Sequence, residues 1–283
     1  MREDFAIFIL SHGRADRVFT IDLLKRVNYT GKWYIIVDNE DKQVDKYISN
    51  FGADKVIVFD KVEAGKMFDI MDNFGGRNVI TFARNYVYEI AKKLNLKYFL
   101  EFEDDYTELK SRFMRDDGVF SSIWVGDFDA VCEEYINFLE ETGIYTVAFA
   151  QQGDFIGGDN SAIWKDVLRR KAMNSFFIKV DNPVWFLGRF NDDVNMYVSQ
   201  GKVGKVILTT RDMMLHQLVT QKNSGGITDA YLQYGTYVKS FYSVMLNPNC
   251  IQVSTLGEYH MRYHHVIDWE VAVPKIVSSK FRK

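Results

Sequence analysis

Apolar and polar positions along this chain come in blocks that alternate between strand-like and helix-like spacing. Phe5–Leu10 is a six-residue apolar run closed by Ser11-His12-Gly13, the pattern of a buried strand opening into a loop. Helical spacing follows over residues 17–26. A second strand over 33–37 ends on Asp38-Asn39-Glu40-Asp41, residues 42–50 predict a helix, and 55–59 a third strand. Ile80, Ala83, Val87, Ile90 and Leu94 recur at helical spacing, so residues 79–94 form an amphipathic helix. Residues 98–102 are the fourth strand and run straight into Glu103-Asp104-Asp105.

Strands separated by helices, with no hairpin turns, pair in parallel through right-handed crossovers. The fold class is therefore α/β, an open mixed sheet flanked by helices. Ligands of such sheets sit outside the carboxyl ends of the strands. Three of the four strands end on polar clusters (Ser11 to Arg14, Asp38-Asn39, and Glu103 to Asp105), which should converge at one edge. The second half predicts a helix over 128–141, a strand over 145–150 and a turn at Gly157-Gly158-Asp159-Asn160. A helix over 192–200, a strand over 203–209 and a loop over 222–226 follow. No linker divides the chain. Residues 1–216 read as the core and 217–283 as a C-terminal elaboration packed on the same domain.

Glu103-Asp104-Asp105 is the sharpest chemical feature. Mg²⁺ and Mn²⁺ take hard oxygen ligands and are often held by one or two carboxylates plus substrate phosphates. Residues two apart on an extended strand share a face, so Glu103 and Asp105 can act together, and Glu101 adds a like charge on that face. Arg14, Arg77 and Arg84 are the natural counterparts for a metal-bound diphosphate. Arg84 and Asn85 fall in the first turns of a helix, where free N–H groups favour phosphate. Asp38 can accept a hydrogen bond from a base or ribose, or simply cap a helix. Asn191-Asp192-Asp193 opens a helix, as a cap or as the source of a general base for an alcohol nucleophile. His216 follows three apolar residues and reads as packed, whereas His260, His264 and His265 form a denser group able to meet a metal or phosphate.

Composition adjusts this picture in three places. Of 283 residues, 15% are aromatic and only 3 are Pro, which excludes a disordered chain. No N-terminal apolar stretch approaches the ~20 residues that span a bilayer, and Arg2-Glu3-Asp4 before the first strand makes a poor signal peptide. A soluble cytoplasmic protein is expected, with Cys132 and Cys250 as ordinary buried thiols. The formal net charge of −3 restricts nucleic-acid binding to local patches. Two qualify: residues 165–171, with four positive charges against one negative, and the stretch from Lys239 onward, with six Lys or Arg against three Asp or Glu. Aromatics gathered between Tyr231 and Trp269 would suit base stacking there.

The order of these motifs resembles the nucleotide-sugar-dependent glycosyltransferases of GT-A fold. It is carried by Ser11-His12-Gly13-Arg14, Val37-Asp38-Asn39, Ala83-Arg84-Asn85, the acidic triplet, Gly157-Gly158-Asp159-Asn160-Ser161 and Asn191-Asp192-Asp193. The tail continues the likeness. Residues 239–245, Asn247-Pro248, residues 262–269 and Val273-Pro274-Lys275-Ile276 look like the TET-associated glycosyltransferases of bacteriophages, linked to sugar transfer onto 5-hydroxymethylpyrimidines in phage DNA.

The resemblance implies a UDP-sugar donor and a Mn²⁺ or Mg²⁺ on Glu103 and Asp105, with His216 as further ligand and His264 as runner-up. It implies donor contacts from Ser11, His12, Arg14, Asp38, Arg77, Arg84, Asn85, Asp104, Gly158 and Asp159. Asp193 or Asp192 would be the base for an inverting displacement, and residues 223–226 a lid. Hydroxymethylated DNA, most readily 5-hydroxymethylcytosine, would meet Arg169, Arg170, Arg262, His264, His265 and Lys275, with its base flipped from the stack. If phage-encoded, the enzyme would work in the host's cytoplasm, with no membrane and no stable protein partner. A GT-A enzyme acting on glycan or protein shares the first 216 residues, and a non-enzymatic nucleotide- or DNA-binding module would release no UDP. A sugar-phosphate nucleotidyltransferase is disfavoured because its Gly-rich phosphate loop is missing after the first strand.

Overall fold

The computed structural model describes residues 1–161, 163, 172–218, 234–235, 237–257 and 261–273, Asp159 by its backbone alone. Its centre is a nine-stranded mixed sheet. Chain order runs β1 (Phe5–Leu10), α1 (Phe19–Arg26), β2 (Lys32–Asp38), α2 (Val44–Phe51), β3 (Val56–Phe59), α3 (Lys61–Ala64), α4 (Thr81–Lys93) and β4 (Tyr98–Glu103). It continues with β5 (Tyr106–Met114), β6 (Phe120–Trp124), α5 (Phe128–Thr142), β7 (Thr146–Gln151), β8 (Phe176–Lys179), α6 (Asp192–Gly201) and β9 (Ile207–Gln217). Helix α7 (Val238–Leu246) and a separate hairpin, β10 (Ile251–Leu256) with β11 (Arg262–Ile267), complete the tail.

Sheet order is β3-β2-β1-β4-β8-β7-β9-β5-β6. The first four strands are parallel, as their intervening helices require. β8 runs antiparallel between β4 and β7, which restores the original direction for β7 and its parallel neighbour β9. Six strands therefore finish on one edge, at or just before Ser11, Asp38, Asp60, Glu103, Gln151 and Gln217. The convergence expected of three strand ends is found and extends to the other half of the sheet.

Two apolar layers cover the faces. One packs α1, α2 and α5 against Phe102, Phe128, Phe149 and Phe177; the other packs α4 and α6 against Phe8, Phe99 and Phe176. Much of the high aromatic content lies here, with Phe149 and Phe177 edge to face at 5.4 Å. Cys132 and Cys250 are buried free thiols.

Strands β5 and β6 escaped the sequence pattern because their side chains are mostly half-exposed or exposed, Ile123 and Trp124 included. β9 was expected over 203–209 but runs from Ile207 to Gln217. A register shift against β7 between Phe149 and Ala150 lets it continue through exposed Arg211 and Asp212 to Met213-Met214-Leu215.

Only Asp104 and Asp105 join β4 to β5, although β8, β7 and β9 lie between those strands in the sheet. The β4–β8 ladder stops at Glu101, and β7 pairs β8 only at Thr146 and Val147. Beyond these residues the sheet splays, and the chain turns through the opening so that Tyr106 pairs Gln217. An amide chain spans the gap: Gln151 donates to Asn174, Asn174 to Gln217 Oε1 at 2.6 Å, and Gln217 to Glu103 Oε2 at 3.0 Å.

Candidate active site

At the shared strand edge lies a cavity of about 320 Å³, and Ser11, Asp38, Glu103, Gln151, Gln217 and Asp193 all line it. Five of these six strands place a polar residue from their carboxyl end on the cavity wall, and β3 places Phe59 there with Lys61 just beyond, so the site forms where the strands finish.

The acidic edge is organised around one buried cation. Arg84, 2% exposed, places Nε 3.2 Å from Glu101, Nη2 2.7 Å from Glu103 and Nη1 3.2 Å from Asp192. The repulsion expected between Glu101 and Glu103 is thus relieved by a guanidinium, which also ties β4 to the start of α6. Burial still pushes the carboxyls of Glu101 and Glu103 up to about 8 against the opposing pull of Arg84. Asp104 turns the other way, accepting from Ser11 Oγ at 2.5 Å and from Arg14 Nη1 at 2.7 Å. Burial and the Asp104 charge raise Asp105 to about 6.

The loop after β1 is held from below. Gly13 N–H donates to Asp41, Arg14 N–H to the Tyr47 hydroxyl and Ala15 N–H to Gln43, whose amide returns a bond to the Gly13 carbonyl. His12 Nδ1 lies 2.7 Å from Asp38 Oδ2, and Lys61, itself buried, is 3.0 Å from Asp38 Oδ1. Burial alone would raise the Asp38 carboxyl, but His12 and Lys61 outweigh it and hold it below the ordinary range.

Helix α4 positions the second carboxylate pair. Thr81, Asn85 and Tyr88 lie with Arg84 on one helical stripe, at i, i+3, i+4 and i+7. Thr81 donates to the Gly188 carbonyl, the Asn85 amide both donates to and accepts from the Phe186 backbone, and the Tyr88 hydroxyl does the same for Val184. An irregular segment is thereby fixed by side chains in place of a strand partner, and it delivers Asn191 in left-handed conformation at the head of α6. Gly188, at φ +81°, has no room for a Cβ, which would meet the Tyr242 ring at 2.8 Å. Asn85→Leu is expected to orphan both Phe186 groups, costing about 1–3 kcal/mol for each; urea unfolding checks it, and an unchanged midpoint would remove the clamp.

The expected site residues therefore divide. Ser11, His12, Arg14, Asp38, Arg84, Glu103, Asp104, Asp192 and Asp193 share the cavity wall. Asn85 does not face it, being fully engaged with Phe186, and Arg77 pairs with Glu40 beside a different, open pocket. Gly158 and the Asp159 backbone form a short turn beyond β7 outside the described lining. Asp105 is not among the lining residues; its carbonyl accepts from the Leu218 N–H at 3.2 Å, next to Gln217, which is. His216 points to the opposite side of β9 from Gln217 and bonds Thr107 at 2.8 Å.

Gln151, Asn174, Gln217 and Lys61 were missed as site residues. Gln151 carried the same signal as the others, a polar residue closing an apolar strand. In the tail, His265 is buried 3.4 Å from the Asn191 amide and His264 packs on it, while Arg262 is exposed. Tyr237, Phe241 and Tyr263 are exposed, whereas Tyr242 is buried and Trp269 stacks on Tyr197. Arg169, Arg170, Lys275, His260 and the 223–226 loop lie outside the described residues.

Residues 5–226 match the TET-associated glycosyltransferase family, a span that contains every cavity residue named above. The chain belongs to the TET-associated glycosyltransferases. Solved structures similar to this glycosyltransferase include mannosyl-3-phosphoglycerate synthase from Rubrobacter xylanophilus, at 12% identity and TM-score 0.46, covering 93% of this chain and 84% of that one. Glucosyl-3-phosphoglycerate synthase from Mycobacterium tuberculosis, in complex with Mn²⁺ and UDP-glucose, is 8% identical with TM-score 0.47, covering 93% and 86%. S. aureus TarS 1–349 is 11% identical with TM-score 0.40, covering 76% and 60%. No curated protein sequence matches the chain. No helix among its described residues is long and apolar enough to cross a membrane.

A divalent ion fits this glycosyltransferase only in partnership with a substrate. Among the described residues no three His, Cys, Asp or Glu side chains form a metal-holding group. Glu103 and Asp104 have their oxygens engaged by Arg84, Gln217, Ser11 and Arg14. Asp105 Oδ1, however, is buried without a hydrogen-bond partner. An orphaned carboxylate oxygen amid surplus negative charge suits Mg²⁺ or Mn²⁺ completed by phosphate oxygens.

Proposed function

We propose that this glycosyltransferase moves a sugar from a UDP-sugar onto the hydroxymethyl group of a 5-hydroxymethylpyrimidine in DNA, 5-hydroxymethylcytosine being the favoured base. The observation that carries the reading is the meeting, on one cavity wall, of the pinned loop after β1, the acidic end of β4 and the Asp192-Asp193 head of α6. Such a wall holds a nucleotide at one end and a base for an alcohol nucleophile at the other. The family match supports transfer to hydroxymethylated DNA through the sequence resemblance.

In this mechanism the loop from Ser11 to Arg14 seats the nucleoside, and Arg14 turns its positive charge toward the diphosphate. A divalent ion held by Asp105 would, when bound, offset the charge of the departing diphosphate. Asp193, on the cavity wall at the head of α6 beside Asp192, takes the proton from the attacking hydroxymethyl oxygen. The acceptor base is reached outside its stack. Exposed Tyr237, Phe241 and Tyr263 with Arg262 offer the tail's aromatic and cationic contacts to DNA.

Incubating the protein with hydroxymethylated DNA and a panel of UDP-sugars, followed by mass spectrometry of the nucleosides, tests the proposal. A sugar adduct on 5-hydroxymethylcytosine, with release of UDP that ceases on chelation and returns with Mn²⁺, is the expected result. Transfer to glycan or protein alone, or nucleotide binding with no turnover, would reject the DNA acceptor.

A further inference from the structure

Asp38 is expected to touch the donor's base, yet in the folded chain both of its oxygens are already engaged. Oδ1 accepts from Lys61 at 3.0 Å and from the Glu40 N–H at 3.1 Å, and Oδ2 faces His12 Nδ1 at 2.7 Å. Asp38 is 4% exposed. His12 lines the cavity with its side chain 28% exposed, and its other ring nitrogen, Nε2, has no hydrogen-bond partner among the described residues. Its backbone neighbours are fixed by Asp41, Gln43 and Tyr47, so the ring is presented by a rigid loop.

We propose that His12, oriented by Asp38, is the residue that reads the donor's base, and that it selects a pyrimidine carrying a ring N–H. The inference rests on the nucleotide-sugar reading above and sharpens it. A carboxylate can only accept, so the proton on this imidazole sits at Nδ1. The Asp41 carboxylate, 3.8 Å from the same nitrogen, reinforces that choice. Whenever the ring carries a single proton, Nε2 is then an acceptor. Uracil offers N3–H to such a group; cytosine presents a lone pair at N3 and is repelled. Discrimination follows from the tautomer, and the tautomer is set one residue deeper by Asp38.

The distinguishing variant is Asp38→Asn. The Lys61 ammonium and the Glu40 N–H both donate to Oδ1, so the new amide keeps its oxygen there and turns its NH₂ toward His12. Nδ1 must then accept, the ring proton moves to Nε2, and the site offers a donor where it offered an acceptor. Calorimetric titration of UDP and CDP, with Mg²⁺ present, reads this directly. The wild-type protein is expected to favour UDP by at least about tenfold. Asp38→Asn should lose that preference or reverse it, and His12→Phe should bind the two within about twofold. Thermal melting verifies that each variant is folded. Equal affinity of the wild type for UDP and CDP, or an undiminished UDP preference in a folded Asp38→Asn protein, would overturn the proposal while leaving sugar transfer intact. Failure of the wild type to bind either nucleotide would overturn the donor reading along with it.

Discussion

Replacing Asp193 with asparagine is expected to lower kcat by about 10²–10⁴-fold with donor affinity unchanged, the range that loss of a positioned general base produces. Asp193 and Asp192 stand side by side at the start of α6, but their surroundings separate their roles. Asp192 is 8% exposed and 3.2 Å from the Arg84 guanidinium, to which it is tied as an ion pair. Asp193 lines the cavity one residue further on. Asparagine keeps the shape and costs only the ~0.3–1 kcal/mol of a first-turn charge, so the fold survives. Single-turnover transfer to hydroxymethylated duplex, alongside a binding titration of the donor, measures the two quantities separately. Asp192→Asn is the control; its cost should fall on stability more than on the chemical step. Near-normal turnover in Asp193→Asn would move the base role elsewhere.

Arg84→Gln should be the most damaging substitution to the fold. It leaves Glu101, Glu103 and Asp192 gathered without their cation, and stranding a buried charge in this way costs about 3–5 kcal/mol. The effect carries a signature in pH. Burial already raises Glu101 and Glu103 to about 8 in the folded chain, well above their unfolded value. Between those two values the folded state binds more protons than the unfolded state, so stability from these groups is present at low pH and declines as pH rises through the window. Removing Arg84 raises the carboxyls further. The gap between wild type and Arg84→Gln should therefore be smallest near about pH 5 and widen above about pH 8. Urea unfolding across that range tests it, and a gap independent of pH would mean the loss comes from packing against Phe176 and Phe186 instead.

The same helix shows where sequence reading succeeds and where it stops. Apolar spacing located α4 to within two residues at its start and one at its end, but it gave no sign that Arg84 and Asn85, read as phosphate contacts, would be buried. They belong to a buried polar stripe with Thr81 and Tyr88, and only the position of residues 184–188, a hundred residues away, makes burial tolerable there. The four parallel strands were legible because each is short, apolar and bounded by turn residues. β8 was not, since four buried residues carry no period. The resemblance pointed to His216 as a ligand and Gln217 was not weighed, yet strand parity puts the amide at the cavity and the imidazole behind it. A one-residue displacement of this kind cannot be read without the register of β9 against β5, which contains its own irregularity between Tyr106 and Glu108.

The splayed sheet between β4 and β5 has a consequence for how the molecule assembles. Residues 5–103 can close their parallel ladders from local crossovers alone, and the loop after β1, proposed above to seat the nucleoside, lies within that unit. The acidic end of β4 does not, because Glu103 takes its bond from Gln217 across 114 positions of sequence. Contacts that close so long a loop form slowly and late. During synthesis the loop after β1 would be framed while the acidic end of β4 still waits for β9 to emerge. Lesions in the part of β9 before Gln217, away from the cavity, would then show up as slow acquisition of activity.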